Sequence, residues 1–288
     1  AFGSGAALVS TGNTTLQAGG AMTLGGTLNT GADLSLAAAS IASSADAVAR
    51  NSVTAQAAGS FVNSGRFAAG SDLAVSAATL TSQGTLAAGV TQAGTLGTNG
   101  NLSVTATGTV TLGSGLYAGG NIDVAGSAIG LQGANSASGG YQHYTAGSGN
   151  IEAANANLYA ATNLTLAANA GSVNFANGSF QSGGNLGVQQ GADMNLSSLA
   201  PFKAAGMLTL ATSGAITIDT GANLQTPGAT TLTAGNTFTN AGSLTVGGNL
   251  FIGAASIANT GSLTTSSDLA LAASGAFGNG GTLGAGND

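Results

Sequence analysis

Cysteine and tryptophan are missing altogether from the 288 residues, proline occurs twice, and charged side chains make up 4% of the whole. Each shortage excludes something. Without cysteine there is no disulfide framework and no thiolate metal site. The same absence suits a protein that crosses a membrane unfolded. A soluble domain ordinarily carries about a quarter charged residues, so solubility here falls to Ser, Thr, Asn and Gln. The three cations, Arg50, Arg66 and Lys203, are scattered along the sequence, whereas nucleic-acid binding needs several clustered phosphate contacts. Fifty glycines with two prolines and no triplet period exclude collagen. The charge-free stretch between Asp72 and Asp123 is broken throughout by Gly, Ser, Thr and Asn, unlike a spanning helix of about 20 apolar residues. Aromatics at 5% are too few for the girdles of an outer-membrane barrel.

What remains is 43% hydrophobic with a formal charge of −6, and it is rich in small residues, Thr and Val. Low charge with high hydrophobicity argues against disorder. The near absence of Glu, Lys and Arg argues for strands over helices. The Ala-rich stretch 36–50 is the one place where a short helix competes, and its spacing fits strand and turn better.

The main signal is repetition. Two small or polar residues precede an apolar-any-apolar triplet, as in Gly-Ala-Asp-Leu34-Ser-Leu36, Gly-Ser-Asp-Leu73-Ala-Val75 and Gly-Gly-Asn-Ile122-Asp-Val124. The first apolar positions fall at 34, 53, 73, 102, 122, 164, 186, 208, 230, 250 and 269, with steps of 19, 20, 29, 20, 42, 22, 22, 22, 20 and 19. The 42 reads as two coils of 21. The 29 reads as one coil plus an insertion of roughly nine residues between Val90 and Thr98. Met22-Thr-Leu24 stands about half a coil out of step. A second pattern interlocks with the first: Phe61-Val-Asn63-Ser-Gly65-Arg-Phe67, Phe238-Thr-Asn240-Ala-Gly242-Ser-Leu244 and Ile257-Ala-Asn259-Thr-Gly261-Ser-Leu263.

Alternation of this kind places both apolar residues of a strand inward, and Gly and Asn suit the corners. The expected fold is all-β, a right-handed parallel β-helix with coils of about 19–22 residues. Residues 1–288 are expected to form a single repeat domain, an internal fragment of a much larger protein. A lone coil would bury only some four large apolar side chains, at roughly 1.5–3 kcal/mol each. Ordering its residues costs about 1–2 kcal/mol apiece. Coils must therefore stack, sharing hydrogen bonds and sealing one another's core. The asparagine recurring at one corner predicts an internal side-chain ladder that satisfies turn backbone groups.

The Asn-x-Gly-x-Leu segments, followed by Ala-Ala-Gly70-Ser-Asp-Leu73 or Val246-Gly-Gly-Asn-Leu250, resemble the repeat region of filamentous haemagglutinin-type exoproteins. These are the secreted partners of bacterial two-partner secretion systems, and they include adhesins and contact-dependent growth inhibition toxins. The resemblance covers most of the chain, best over 53–104 and 205–283. It implies export through an outer-membrane transporter and residence outside the cell or on its surface. It also implies a role in cell adhesion and virulence, with a host or bacterial receptor or glycan as partner, or a passive stalk that presents a distal toxin or receptor-binding tip. The family's amino-terminal secretion domain carries Asn-Pro-Asn-Leu; here neither Pro201 nor Pro227 lies in that motif.

Chemistry has few footholds. Some parallel β-helices are polysaccharide-active enzymes that gather several carboxylates. Here Asp33, Asp72, Asp193 and Asp268 read as one repeat phase, a corner position many coils apart, so no catalytic residue is assigned. Neither a metal site nor a cofactor is expected: the nonapeptides of calcium-binding β-rolls are absent, and a single histidine makes no zinc centre. The outward residues of the triplets vary too much, Asp123 and Phe251 among them, for a flat threonine array. The exception is Gly139-Gly-Tyr141-Gln-His143-Tyr144, three ring side chains in four residues. Tyr141, His143 and Tyr144 are the candidate ligand- or receptor-binding residues, because exposed rings stack on sugars or anchor partners.

Overall fold

The structure, a computed structural model, describes residues 1–197 and 202–287; Pro201 and Asp288 lie outside them. No helix occurs among the described residues. Most coils hold three short strands, while in two coils near the start one long strand (Thr14–Leu24, Leu34–Ser43) serves two faces; every pairing between named strands is parallel, each with the equivalent strand of the next coil. The chain is a parallel β-helix with three faces.

Among the described residues the main face is an unbroken stack of thirteen strands, beginning with Thr14–Leu24 and ending with Leu269–Ala273. The apolar triplets stand in register on it: Leu34, Val53, Leu73, Leu102 and Ile122 are direct neighbours. The second face carries strands such as Ser60–Asn63 and Ser256–Asn259, and the third carries strands such as Arg66–Ala69 and Ser262–Thr265. Among the described residues fourteen third-face strands at about 4.8 Å per rung make a rod about 65 Å long.

The irregular steps resolve in this frame. The 42-residue step contains Gln142–Ala146 as a main-face strand, so its two coils measure 20 and 22 residues between positions 122, 142 and 164. Met22 and Leu24 lie on the second face, because Thr14–Leu24 runs on around the corner through a register shift between Ala18 and Ala21. The Ala-rich stretch is strand, Leu34–Ser43 followed by Asp46–Ala49. The insertion leaves the stack after Thr85–Ala88 and closes as a small hairpin, with an antiparallel bridge between Val90 and Leu96.

Alternation puts Leu, Val, Ile and Phe inside at every rung, with Phe61 and Phe67 fully buried and their ring centroids 5.7 Å apart. The corner between the second and third faces is closed by the expected ladder. Asn240 Nδ2 donates to Asn259 Oδ1 at 2.7 Å, and Asn259 Nδ2 donates to Asn279 Oδ1 at 2.7 Å. Asn240 Oδ1 also accepts the Gly242 N–H, so the ladder satisfies turn backbone as well. Two residues on, glycine is obligatory for want of room: a Cβ on Gly84 would collide with the Gly65 carbonyl oxygen, and one on Gly261 with that of Gly242. Among the described residues no buried side-chain nitrogen or oxygen lacks a partner, as a dry polar corner requires.

A second, exposed ladder runs along the corner before the main face. Asp72 Oδ1 accepts the Asn101 N–H at 2.8 Å, Asn101 Oδ1 the Asn121 N–H at 3.0 Å, and Asn121 Oδ1 the Tyr141 N–H at 3.0 Å. Asp33 and Asp268 occupy this corner too. Asp193 does not. It precedes the second-face strand Met194–Leu196, where its Oδ1 accepts the Ala215 N–H at 2.8 Å. Its local sequence mimics the main-face corner, and only the count of residues within the coil separates the two.

Candidate functional site

The segment Gly139–Tyr144 turns the corner from the third face and starts a main-face strand. Strand alternation therefore splits the three candidate residues. Tyr144 points inward and is fully buried; its hydroxyl lies 2.9 Å from Ser136 Oγ and 3.0 Å from Gln142 Oε1, with its single proton shared between them. Ser136 Oγ also donates to Gln142 Oε1 at 3.1 Å, and Gln142 Nε2 donates to the Tyr159 carbonyl at 2.7 Å. Burial pushes the Tyr144 phenol well above its ordinary range. Tyr144 is thus a core residue that cannot touch a partner, and the candidate set reduces to Tyr141 and His143.

Those two meet at Asp123, which sequence reasoning placed outward without assigning it a role. Asp123, His143 and Thr165 are successive outward residues of one column. Tyr141, at the corner, donates its hydroxyl to Asp123 Oδ2 at 3.0 Å. His143 Nδ1 stands 3.9 Å from Asp123 Oδ1, and its Nε2 lies 3.0 Å from Thr145 Oγ1. The hydrogen bond to Asp123 holds the Tyr141 phenol above its usual range, with burial and the neighbouring negative charge adding to it. All three side chains are more than a third exposed. They form a fixed patch of ring faces, carboxylate and imidazole on the open face, suited to docking a polar partner.

A second departure from regularity lies at the insertion. Its hairpin, held by a Thr91 N–H donating to the Thr95 carbonyl at 2.8 Å, overhangs the third face. It bounds a depression of about 530 Å³ whose lining includes Arg50, Arg66, Asn29 and Gln92. Two of the three cations that are scattered in the sequence therefore share one hollow. Arg66 pairs with Asp46 at 3.4 Å, and both are exposed, so the pair adds little stability. Among the described residues no three His, Asp or Glu side chains cluster as a metal would require.

A stack of near-identical coils with varied, mostly neutral outer faces is the architecture of an elongated β-solenoid, built to span distance and offer surface. The haemagglutinin repeat family matches this chain six times, over residues 1–49, 42–89, 86–141, 142–198, 204–252 and 245–288. The chain belongs to that family. Haemagglutinin repeats form filamentous haemagglutinin-like adhesins or their stalks. No curated protein and no solved structure matches the chain.

Proposed function

We propose that this β-helix is an adhesive segment of a secreted bacterial surface filament and that it contacts its partner through the Asp123–Tyr141–His143 patch. The carrying observation is the patch itself, where the only histidine and an exposed tyrosine are held on one carboxylate in the middle of the rod. The family supports a surface location. Export through an outer-membrane transporter of the two-partner type, with a host or bacterial receptor or glycan as partner, completes the reading. It is a non-enzymatic role that needs no cofactor.

The test is attachment of the purified chain to host and bacterial cells, compared with a Tyr141→Ala, His143→Ala double variant. Tyr144 must stay, because its loss would damage the core. Attachment lost in the variant supports the adhesive reading. Absence of attachment by the parent chain favours a passive stalk for a distal tip, and attachment unchanged in the variant removes the patch as the contact.

A further inference from the structure

Of the four tyrosines, Tyr144 is internal and Tyr141 sits at a corner; the other two share a column on the third face. Register places Tyr117, Ala137, Tyr159, Gln181 and Lys203 as successive outward residues of adjacent rungs. The two rings are thus two rungs apart, about 10 Å along the rod, with only the Ala137 methyl between them. Tyr159 is 50% exposed. Tyr117 is held low, because the other outward residue of its strand is Gly115. A Cβ there would come within 2.5 Å of the Tyr117 ring.

The surface beside the rings is a shallow groove along the rod. One stretch of about 190 Å³ is lined by Tyr117, Asn135, Asn157, Tyr159 and Gln181; a second, of about 400 Å³, continues past Tyr159 and Gln181 to Lys203 and Pro227. Its polar groups are neutral amides and hydroxyls in fixed poses: Asn157 Nδ2 donates to Asn135 Oδ1 at 3.1 Å, and Gln181 Nε2 donates to Ser179 Oγ at 3.1 Å. The one charge is Lys203 at the far end.

Aromatic faces interspersed with amides suit a sugar, whose C–H face stacks on a ring while its hydroxyls meet hydrogen-bonding side chains. The groove's straightness selects the linkage. A β-1,4-linked chain of equatorial bonds runs as a straight ribbon in which alternate sugars present the same face. Sugars one apart from each other would then meet successive tyrosines across the space of one disaccharide. An α-1,4-linked chain curls away from a straight column. We propose that Tyr117 and Tyr159 form a binding site for an extended, neutral, β-linked polysaccharide lying along the rod. The site is separate from the Asp123 patch and rests on the adhesive reading only for its biological use.

The test is calorimetric titration of the full chain with cellohexaose, chitohexaose and, as the curled comparator, maltohexaose. At least one β-linked hexasaccharide is expected to bind, with maltohexaose at least tenfold weaker. Tyr159→Ala, an exposed change that keeps the strand, should weaken binding at least tenfold. Gly115→Ala, which must lift the Tyr117 ring, should weaken it several-fold, and unchanged far-ultraviolet circular dichroism in both variants checks the fold. The inference is overturned if neither β-linked hexasaccharide binds, if Tyr159→Ala binds as tightly as the parent, or if maltohexaose binds equally well. Cell attachment without oligosaccharide binding overturns this site and leaves the adhesive reading standing.

Discussion

Replacing Tyr144 separates a core role from a surface role at the residue where sequence and structure differ most. Tyr144→Ala removes a fully buried ring from a coil in the middle of the rod. Truncating a buried aromatic costs about 3–5 kcal/mol in transfer and cavity terms. The Ser136–Gln142 hydrogen bond survives, so the lost hydroxyl partner adds little, and about 4 kcal/mol is expected in all. Tyr144→Phe keeps the ring and removes one hydroxyl from two partners, at about 1 kcal/mol. With a urea dependence of about 2 kcal/mol per molar, the alanine variant should unfold about 2 M earlier and the phenylalanine variant about 0.5 M earlier. Coils couple mainly to their neighbours, so the alanine variant should also broaden the transition or split it at the weakened rung. Equilibrium urea unfolding followed by circular dichroism, with cell attachment measured in parallel, decides the matter. The reasoning fails if the two variants cost the same, or if Tyr144→Phe abolishes attachment at undiminished stability.

Four further outcomes follow from the same structure. Asn259→Ala breaks the corner ladder on both sides and leaves the buried Asn240 amide with the Ser262 carbonyl as its remaining acceptor, so a loss of about 2 kcal/mol is expected, against less than about 1 for Asn121→Ala on the exposed ladder. Asn259→Asp would aim a carboxyl at two acceptors, Asn279 Oδ1 and the Thr282 carbonyl, and its native pKa would be raised; the variant should be most stable below about pH 4 and weaken as pH rises through that raised value, measured by unfolding across pH. Asp123→Asn removes the carboxylate that holds the Tyr141 phenol up, so alkaline spectrophotometric titration should find that phenol nearer its ordinary range. Deleting 91–97 should leave the thermal midpoint within a few degrees, since the third-face strands on either side, Thr85–Ala88 and Gly115–Ala118, already pair with each other; a large drop would make the hairpin part of the fold.

Most of the fold was legible because one physical requirement recurs at a fixed interval. Inward apolar pairs and cramped corner glycines revealed the coil, and the interlocking Asn-x-Gly pattern revealed a second strand and its ladder. The 42-residue step called for a second coil, but its anchor at Gln142 escaped because a polar residue fills the inward slot, made tolerable by Tyr144, Ser136 and the Tyr159 carbonyl. The shortest second-face strands, Ile129–Gly130, Ile151–Glu152 and Val173–Asn174, are too brief to show alternation. The candidate site was legible only as a cluster of rings. Which ring pointed out depended on where the strand began, and that followed from the hidden Gln142 register. Lateral columns were less visible still. Tyr117 and Tyr159 stand 42 residues apart in sequence, and only an exact rung-by-rung register makes them neighbours but one.

The in-register stack also has a mechanical consequence. Each coil occupies about 4.8 Å of the rod, yet its roughly 20 residues, pulled straight, span close to 70 Å. Tension along the axis acts in line with the hydrogen bonds between rungs, so an end coil can peel away while those behind it stay paired. Every released coil lengthens the tether more than tenfold over the space it filled and lowers the load on the rest. A filament built this way yields under a sudden pull in small, repeatable increments and can rewind when the pull relaxes, a behaviour that suits the adhesive role proposed above.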